Sequence, residues 1–267
     1  MTSLLPRISP GVSAQRRPAL VDLPPRQAAA DTRFVRLRIR DRPGSLAWVT
    51  EHLASHGVDV VRLEVLDVAD GYAVDDFLIR GPAISAALAE LGPVATVLAD
   101  RPHAQLADPA LAMASACAAV TSASNGRDAY RQLVHAALGL VFAEAGFVCV
   151  PESHGFLRPL AATDTSLPAI EDGGTSLLRS ALASGECLTA DGRAPWAPED
   201  YRVRLPRGTV AAIPGGDPSF LVLALVRDDD SPFVATELER LAALVRVAVG
   251  TLQLHDTRNA TSSSIRT

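Results

Sequence analysis

Residues 35–46 read VRLRIRDRPGSL and contain the end of a strand, a sharp turn and the start of a helix. In the first six residues, apolar side chains alternate with Arg36, Arg38 and Arg40. This alternation is typical of a strand with one face in solvent. Pro43 and Gly44 end that strand. Ser45 is predicted to be the N-cap of the helix that follows. The stretch therefore predicts a strand–turn–helix unit.

The sequence beyond this turn continues with alternating strand and helix patterns. Apolar residues at helical spacing run from the turn to Gly57, which is well placed to end the helix. Asp70 and Gly71 form a hairpin signal between two strand-like runs. The remaining predicted elements are strands over 58–68 and 72–79, a helix over 82–91 and a strand over 94–98. The order βαββαβ is the ferredoxin-like plan of an α+β fold.

Residues 33–101 resemble an ACT domain through the turn Asp-Arg-Pro-Gly-Ser-Leu and the later run Gly-Val-Asp-Val at 57–60. ACT domains are regulatory modules that bind small ligands, usually amino acids, at an interface between paired domains. The resemblance implies one wall of a site from the turn and a second wall from another copy. The ligand-binding residues it implies are Asp41, Pro43, Gly44, Ser45 and Leu46 of one copy and Asp59 of the other.

The chemistry of the turn residues also favours ligand binding at this turn. Gly44 has no Cβ, so a ligand can approach the backbone closely. Amides at the start of a helix lack partners within the helix and attract an anion such as an α-carboxylate. Asp41 offers an acceptor to an α-ammonium group. Two alternatives remain open at this point: Asp41 supports only its own loop, or the module serves only for dimerisation.

Residues 127–256 show the order helix, hairpin, helix, variable loop, hairpin and helix. The stretches 175–188 and 209–252 resemble a GAF domain, a sensory module in which an antiparallel sheet is flanked by helices. The combined resemblance is to bacterial ACT–GAF regulatory proteins. An uncharged, alanine-rich stretch predicts a helical linker over 102–126. Residues 1–32 and 257–267 are predicted to be disordered tails.

Composition excludes several classes of function. The chain has 267 residues, a net charge of −5, no lysine and three separated cysteines. The acidic balance argues against nucleic-acid binding, and the absence of lysine excludes Schiff-base and P-loop chemistry. Sparse cysteines argue against a disulfide framework and fit a reducing, cytoplasmic location. No signal peptide or membrane span is predicted.

Other chemistry-bearing residues have simpler explanations. His52 and His56 are spaced to share a metal, but they form a stripe with Trp48 and lack an evident third ligand, so a solvated or dimer-facing stripe is favoured. Loop or packing explanations are also favoured for the remaining candidates: Glu152, Ser153, His154, Trp196, Tyr201 and Asp228–Asp230. No metal or cofactor is predicted.

The sequence thus predicts a non-enzymatic regulatory protein that binds a small metabolite, an amino acid, at an ACT interface and signals through a GAF-like module. A homodimer is expected, with an unidentified protein partner for output. Two alternatives are a dimerising scaffold without a ligand and a small enzyme that uses the GAF-like cavity.

Overall fold

The computed structural model describes residues 32–102, 108–152, 156–163, 176–191, 209–215, 220–227 and 231–264. These residues form two antiparallel sheets flanked by helices, so the α+β class is confirmed. The first half contains β1 (Thr32–Arg40), α1 (Ser45–Ser55), β2 (Asp59–Ala69), β3 (Tyr72–Arg80), α2 (Ile84–Ala89) and β4 (Ala95–Pro102). The second half contains α3 (Pro109–Thr121), α4 (Gly126–Val141), β5 (Ala145–Pro151), β6 (Leu157–Ala162), α5 (Ser176–Ser184), β7 (Leu188–Asp191), β8 (Thr209–Gly215), β9 (Leu221–Arg227) and α6 (Ala235–Ser264).

The first sheet has the strand order β2-β3-β1-β4, and every neighbouring pair is antiparallel. Together with the order βαββαβ, this is the ferredoxin-like topology expected from the sequence. The β2–β3 hairpin turns at Asp70 and Gly71, both with positive φ, as the Asp-Gly pair predicts. Helices α1 and α2 cover one face, where Leu37, Leu53 and Phe77 are buried in a shared core.

The second sheet has the strand order β6-β5-β9-β8-β7, all antiparallel. Central strand β9 is buried along its whole length, which fits its continuous apolar sequence. Helices α3, α4 and α6 pack on one face, and α5 packs on the other. This is the antiparallel sheet flanked by helices that the sequence resemblance predicts. No helix among the described residues is long and apolar enough to cross a membrane.

The two halves pack closely through the face of the first sheet that lies opposite α1. The rings of Phe34 and Phe142 stack across this boundary, with centroids 4.4 Å apart. Leu66 and Val74 of the first sheet form a small buried cluster with Val234, which precedes α6. The second half therefore covers Arg36 on the face that the alternation predicted to lie in solvent, whereas Arg38 and Arg40 are exposed as predicted.

Two sequence predictions are wrong. Ser45 is not the N-cap of α1, because Gly44 takes that position with a φ of 91° and the chain is already helical at Ser45. The expected disordered tail over 257–267 is helical as far as Ser264. Extending an existing helix is far easier than starting one, and neither glycine nor proline follows Gly250 to stop it.

Several predictions concern residues outside the described part of the chain. They are the disordered tail up to residue 31 and the explanations offered for Ser153, His154, Trp196, Tyr201 and Asp228–Asp230.

Candidate functional site

The turn between β1 and α1 presents an open helix N-terminus. The amide of Ser45 donates to Arg42 O at 3.0 Å, and that of Trp48 donates to Gly44 O at 2.9 Å. Within the described residues, the amides of Leu46 and Ala47 have no acceptor, and no side chain caps the helix. The first turn of α1 carries no acidic residue. The helix dipole and two available N–H donors therefore favour an anion here.

Asp41 lies beside this helix end and is held there by its backbone. Its N–H donates to Gly71 O at 2.9 Å, which fixes the turn to the β2–β3 hairpin. Asp41, Pro43 and Gly44 are all exposed. A Cβ placed on Gly44 would meet no atom within 4 Å, so the surface of the turn is open to a ligand.

Asp75 is the most unusual polar residue of the first half. It lies in β3 between Leu37 of β1 and Val65 of β2, and only 3% of its surface is exposed. Its buried Oδ1 has no hydrogen-bond partner among the described residues. Burial, followed by the charges of Asp76 and Asp41, raises the pKa of the Asp75 carboxyl from 3.8 to about 6. Within the described residues, this Oδ1 is thus an exception to the rule that buried polar atoms are hydrogen-bonded.

The strand register places Asp75 next to the centre of β3, in the half of the strand nearer the turn. Arg40, the last residue of β1, pairs with Tyr72 at the start of β3. Asp75 follows Tyr72 by three residues and shares the helix-covered face with buried Leu37 and Phe77. A second carboxylate therefore lies three residues into the sheet from the turn that carries Asp41 and the helix N-terminus, and the charge of Asp41 acts on it. Such an arrangement complements a molecule with both an ammonium and a carboxylate group.

Asp59 lies at the opposite end of the same sheet. It begins β2 and pairs with Arg80, whose Nη2 lies 2.8 Å from its Oδ2. Arg80 in turn faces Thr32, the first residue of β1. The structure therefore does not bring Asp41 and Asp59 of one chain together. A site that uses both residues needs a second copy of the chain, as the ACT resemblance implies.

A buried ionic network lies on the other face of the sheet. The Arg36 guanidinium donates to both oxygens of Asp76, at 2.7 and 2.9 Å, and to Glu237 Oε1 of α6 at 2.8 Å. Arg227 of β9 donates to the same Glu237 oxygen at 2.8 Å. At most 8% of any of these four side chains is exposed. The prediction that Arg36 faces solvent is wrong, because the second half covers it.

Opposite charges balance within this network. Burial alone would raise the pKa of Glu237, but the charges of Arg227 and Arg36 outweigh it and hold the pKa below its usual range. Burial likewise disfavours charged Arg36, yet its bonds to Asp76 and the charge of Glu237 raise its pKa. Burial raises the pKa of Asp76 above its usual value, although the bond to Arg36 and its charge act in the opposite direction. The network links the first sheet to α6.

A second concave region lies in the second half, between the start of α4, strand β6 and α6. It is a groove of about 620 Å³ lined by Gly126, Arg127, Tyr130, Arg158, Pro159, Leu160, Leu252 and Asp256. Burial, and then the charge of Asp256, raise the pKa of the Tyr130 hydroxyl. Arg158 pairs with Glu152 at 2.6 Å. This groove is lined by both charged and apolar side chains.

The three cysteines are free thiols, all of them within the described residues. Burial raises the pKa of the Cys149 thiol to about 12, so this sulfur stays protonated at neutral pH.

Ring contacts run along the stripe on α1. The Trp48 and His52 rings are nearly parallel, with centroids 5.1 Å apart, and His56 lies next in line at 4.7 Å. The structure adds Glu90, which follows α2 and reaches His56 Nε2 at 3.2 Å.

Sequence reasoning missed Asp75 and its neighbour Asp76. The signal was present, because two adjacent acids interrupt the otherwise apolar strand Tyr-Ala-Val-Asp-Asp-Phe-Leu-Ile at 72–79. Acidic residues are depleted in strands, and in a central strand one of two neighbours must face the core.

Comparisons with known proteins find solved structures with a similar fold but no protein with a matching sequence. No family model and no curated protein matches the chain. The chain is similar to the GAF domain of a phosphoenolpyruvate-protein phosphotransferase from Coxiella burnetii, with 16% identity, a TM-score of 0.46 and coverage of 57% of this chain and 96% of that one. The corresponding Acinetobacter GAF domain has 9% identity, a TM-score of 0.46 and coverage of 57% and 97%.

A third solved structure is free methionine-R-sulfoxide reductase from Neisseria meningitidis in complex with its substrate, with 14% identity, a TM-score of 0.47 and coverage of 58% and 97%. At these identities and TM-scores, the three similarities carry no argument about ligand, activity or partners. The ACT resemblance of the first half rests on the sequence.

Proposed function

We propose that the protein is a non-enzymatic regulator that binds an amino acid at the turn between β1 and α1 of its ACT-like half and signals through its GAF-like half. The observation that carries the proposal is Asp75, a buried carboxylate whose Oδ1 has no partner among the described residues. It lies on the face covered by α1, three residues along β3 from Tyr72, which pairs with the last residue of β1 before the turn.

The energetic argument concerns the cost of an unpaired buried charge. A buried charge without a partner destabilises a fold, and the rise in the pKa of Asp75 from 3.8 to about 6 corresponds to at most about 3 kcal/mol. A ligand ammonium supplies the missing charge to Asp75 with help from Asp41, and its carboxylate accepts from the amides of Leu46 and Ala47. Binding then relieves a cost that the free protein carries.

The path to the second half runs through β3. Asp76 follows Asp75 directly and faces the other side of the sheet, where it is bonded to Arg36. Arg36 is bonded to Glu237 of α6. A ligand that favours one position of β3 therefore biases how the sheet contacts α6. We propose that this shift between two arrangements is the signal, which a protein partner then reads.

A homodimer is part of the proposal because edge strand β2 is only half paired. It pairs with β3 alone in the described part of the chain, and Val61, Val65 and Val68 are each about half exposed. Edge strands of this kind invite pairing with another chain. A second copy would cover these valines and would bring its Asp59 toward the ligand. We place the dimer in the cytoplasm.

Light scattering on the full chain tests the dimer. The wild type should have twice the mass of one chain, and Val68→Lys on β2 should shift the mass toward one chain by placing a charge on the contact. Val97→Lys on the opposite edge strand β4 is the matched control. A wild type with the mass of a single chain at micromolar concentration would contradict the dimer.

The ligand is tested by a thermal-shift screen of the twenty common amino acids on the full chain, followed by calorimetric titration of the best one. At least one amino acid should raise the unfolding temperature. Its amide and its deaminated analogue should both bind more weakly, because each lacks one of the two charges. A dimer that binds none of the amino acids would contradict the proposal and favour the scaffold alternative.

A further inference from the structure

Three metal-ligating side chains meet between α1 and the end of α2. His52 lies in the last turn of α1, His56 is the C-cap residue of the same helix, and Glu90 follows α2 directly. One ligand atom from each side chain lies within 4.8 Å of the other two. The first two residues share a helix face because they are four positions apart. The third ligand could not be identified from the sequence, since it depends on how α2 packs against α1.

Backbone carbonyls fix which nitrogen of each ring carries a proton. His52 Nε2 lies 3.0 Å from Ala87 O, and His56 Nδ1 lies 3.0 Å from His52 O. A carbonyl oxygen can only accept, so these two nitrogens are the donors. The other nitrogen of each neutral ring therefore carries a lone pair. Metal-binding histidines are oriented by this kind of bond from ring N–H to a carbonyl.

The contact between His56 and Glu90 places a ring nitrogen next to a carboxylate oxygen. With its proton on Nδ1, neutral His56 directs the Nε2 lone pair at Glu90 Oε2, which lies 3.2 Å away. Two acceptors at this distance repel each other unless a proton or a metal ion lies between them. Two ligand atoms on a tetrahedral zinc ion, each about 2.0–2.1 Å from it, are separated by about 3.4 Å. The observed 3.2 Å is close to that spacing and is also the length of an ordinary hydrogen bond, so the titration below distinguishes a metal ion from a proton.

We propose that His52, His56 and Glu90 bind a divalent transition-metal ion of the zinc class. Two imidazoles and one carboxylate suit zinc, nickel, cobalt or copper better than magnesium or calcium, which prefer oxygen ligands alone. Water fills the remaining position. All three ligands come from one chain, so the site depends neither on the dimer nor on amino-acid binding. The bound ion joins α1 to the end of α2.

Calorimetric titration of the metal-stripped full chain with Zn²⁺ tests the site. We expect saturable binding of one ion per chain at pH 7.5. Loss of an outer-shell partner commonly lowers metal affinity about 10- to 100-fold. Loss of a direct ligand in His56→Ala or Glu90→Gln should therefore lower zinc affinity at least tenfold. His135→Ala, which changes an exposed histidine of α4, should leave the affinity unchanged.

Trp48 supplies an independent readout, because it stacks on His52. In a Trp196→Phe background, where Trp48 is the remaining tryptophan, Cu²⁺ or Ni²⁺ should quench the fluorescence, and Glu90→Gln should weaken that quenching. The Glu90 side chain is 64% exposed, so this substitution leaves the fold intact. Equal zinc affinity in the wild type and Glu90→Gln, or no saturable binding by the wild type, would overturn the proposal.

Discussion

Asp75 and Asp76 are adjacent on β3, and their side chains lie on opposite faces of the first sheet. Asp75 lies on the face covered by α1, and its Oδ1 has no partner among the described residues. Asp76 accepts hydrogen bonds from Nε and Nη2 of Arg36, in the network that reaches α6. One dipeptide thus joins the candidate ligand site to the boundary with the second half.

Asp75→Asn should stabilise the free protein at neutral pH, because it removes an unpaired buried charge without changing the side-chain shape. The pKa of Asp75 rises from 3.8 to about 6 on folding, so the folded state binds more protons between these pH values. Wild-type stability should therefore fall as pH rises through this window, relative to the variant. About two pKa units correspond to at most about 3 kcal/mol.

Urea unfolding at pH 4 and pH 7.5 measures this effect. The variant should gain about 1–3 kcal/mol over the wild type at pH 7.5 and much less at pH 4. Asp67→Asn, at a half-buried position on β2, is the matched control. A difference between wild type and Asp75→Asn that is the same at both pH values would show that the charge of Asp75 is not the cause.

Glu237→Gln should strongly destabilise the protein, because it leaves Arg36 and Arg227 with Asp76 as the remaining acid of the network. Breaking a buried ion pair by removing one partner typically costs about 3–5 kcal/mol. Glu239→Gln, at an exposed position on the same helix, should change stability by less than about 0.5 kcal/mol. Chemical unfolding of both variants measures the free energy of unfolding. An equal decrease in Glu237→Gln and Glu239→Gln would contradict the importance of the network.

Gly44→Ala should destabilise the protein although no atom lies within 4 Å of the new Cβ. The cost is conformational, since an L-residue at a φ of 91° is strained by about 1–2 kcal/mol. Gly250→Ala in α6 also meets open space but is helical, and should gain about 0.5–1 kcal/mol. Thermal unfolding should therefore show a lower unfolding temperature for Gly44→Ala and a higher one for Gly250→Ala. Shifts of both variants in the same direction would refute this explanation of the turn.

The first half could be predicted well from the sequence because its signals are local. Alternation in β1, the Pro43-Gly44 turn and the Asp70-Gly71 hairpin each act within a few residues, and together they specify the βαββαβ order. The environment of Arg36 could not be predicted in the same way. An arginine in an alternating pattern is predicted to be exposed, because the pattern contains no information about distant parts of the chain. Here the residues that cover Arg36 are more than 190 positions away.

The candidate site was predicted only in part for the same reason. Asp41 and Gly44 belong to a recognisable turn, and the structure leaves them exposed beside free helix amides. Asp75 becomes unusual only when α1, β1 and β2 surround it. Likewise, Glu90 joins the two histidines of α1 only through the packing of α2 against that helix.

The most direct test of the central claim is calorimetric titration of wild type and Asp75→Asn, at pH 7.5, with the amino acid that gives the largest thermal shift. A charge-assisted hydrogen bond contributes about 1.5–3 kcal/mol, which is roughly a 10- to 100-fold change in affinity. The variant should lose at least tenfold in affinity while its own unfolding temperature rises. Unchanged affinity in the folded variant would contradict the claim that Asp75 binds the ligand.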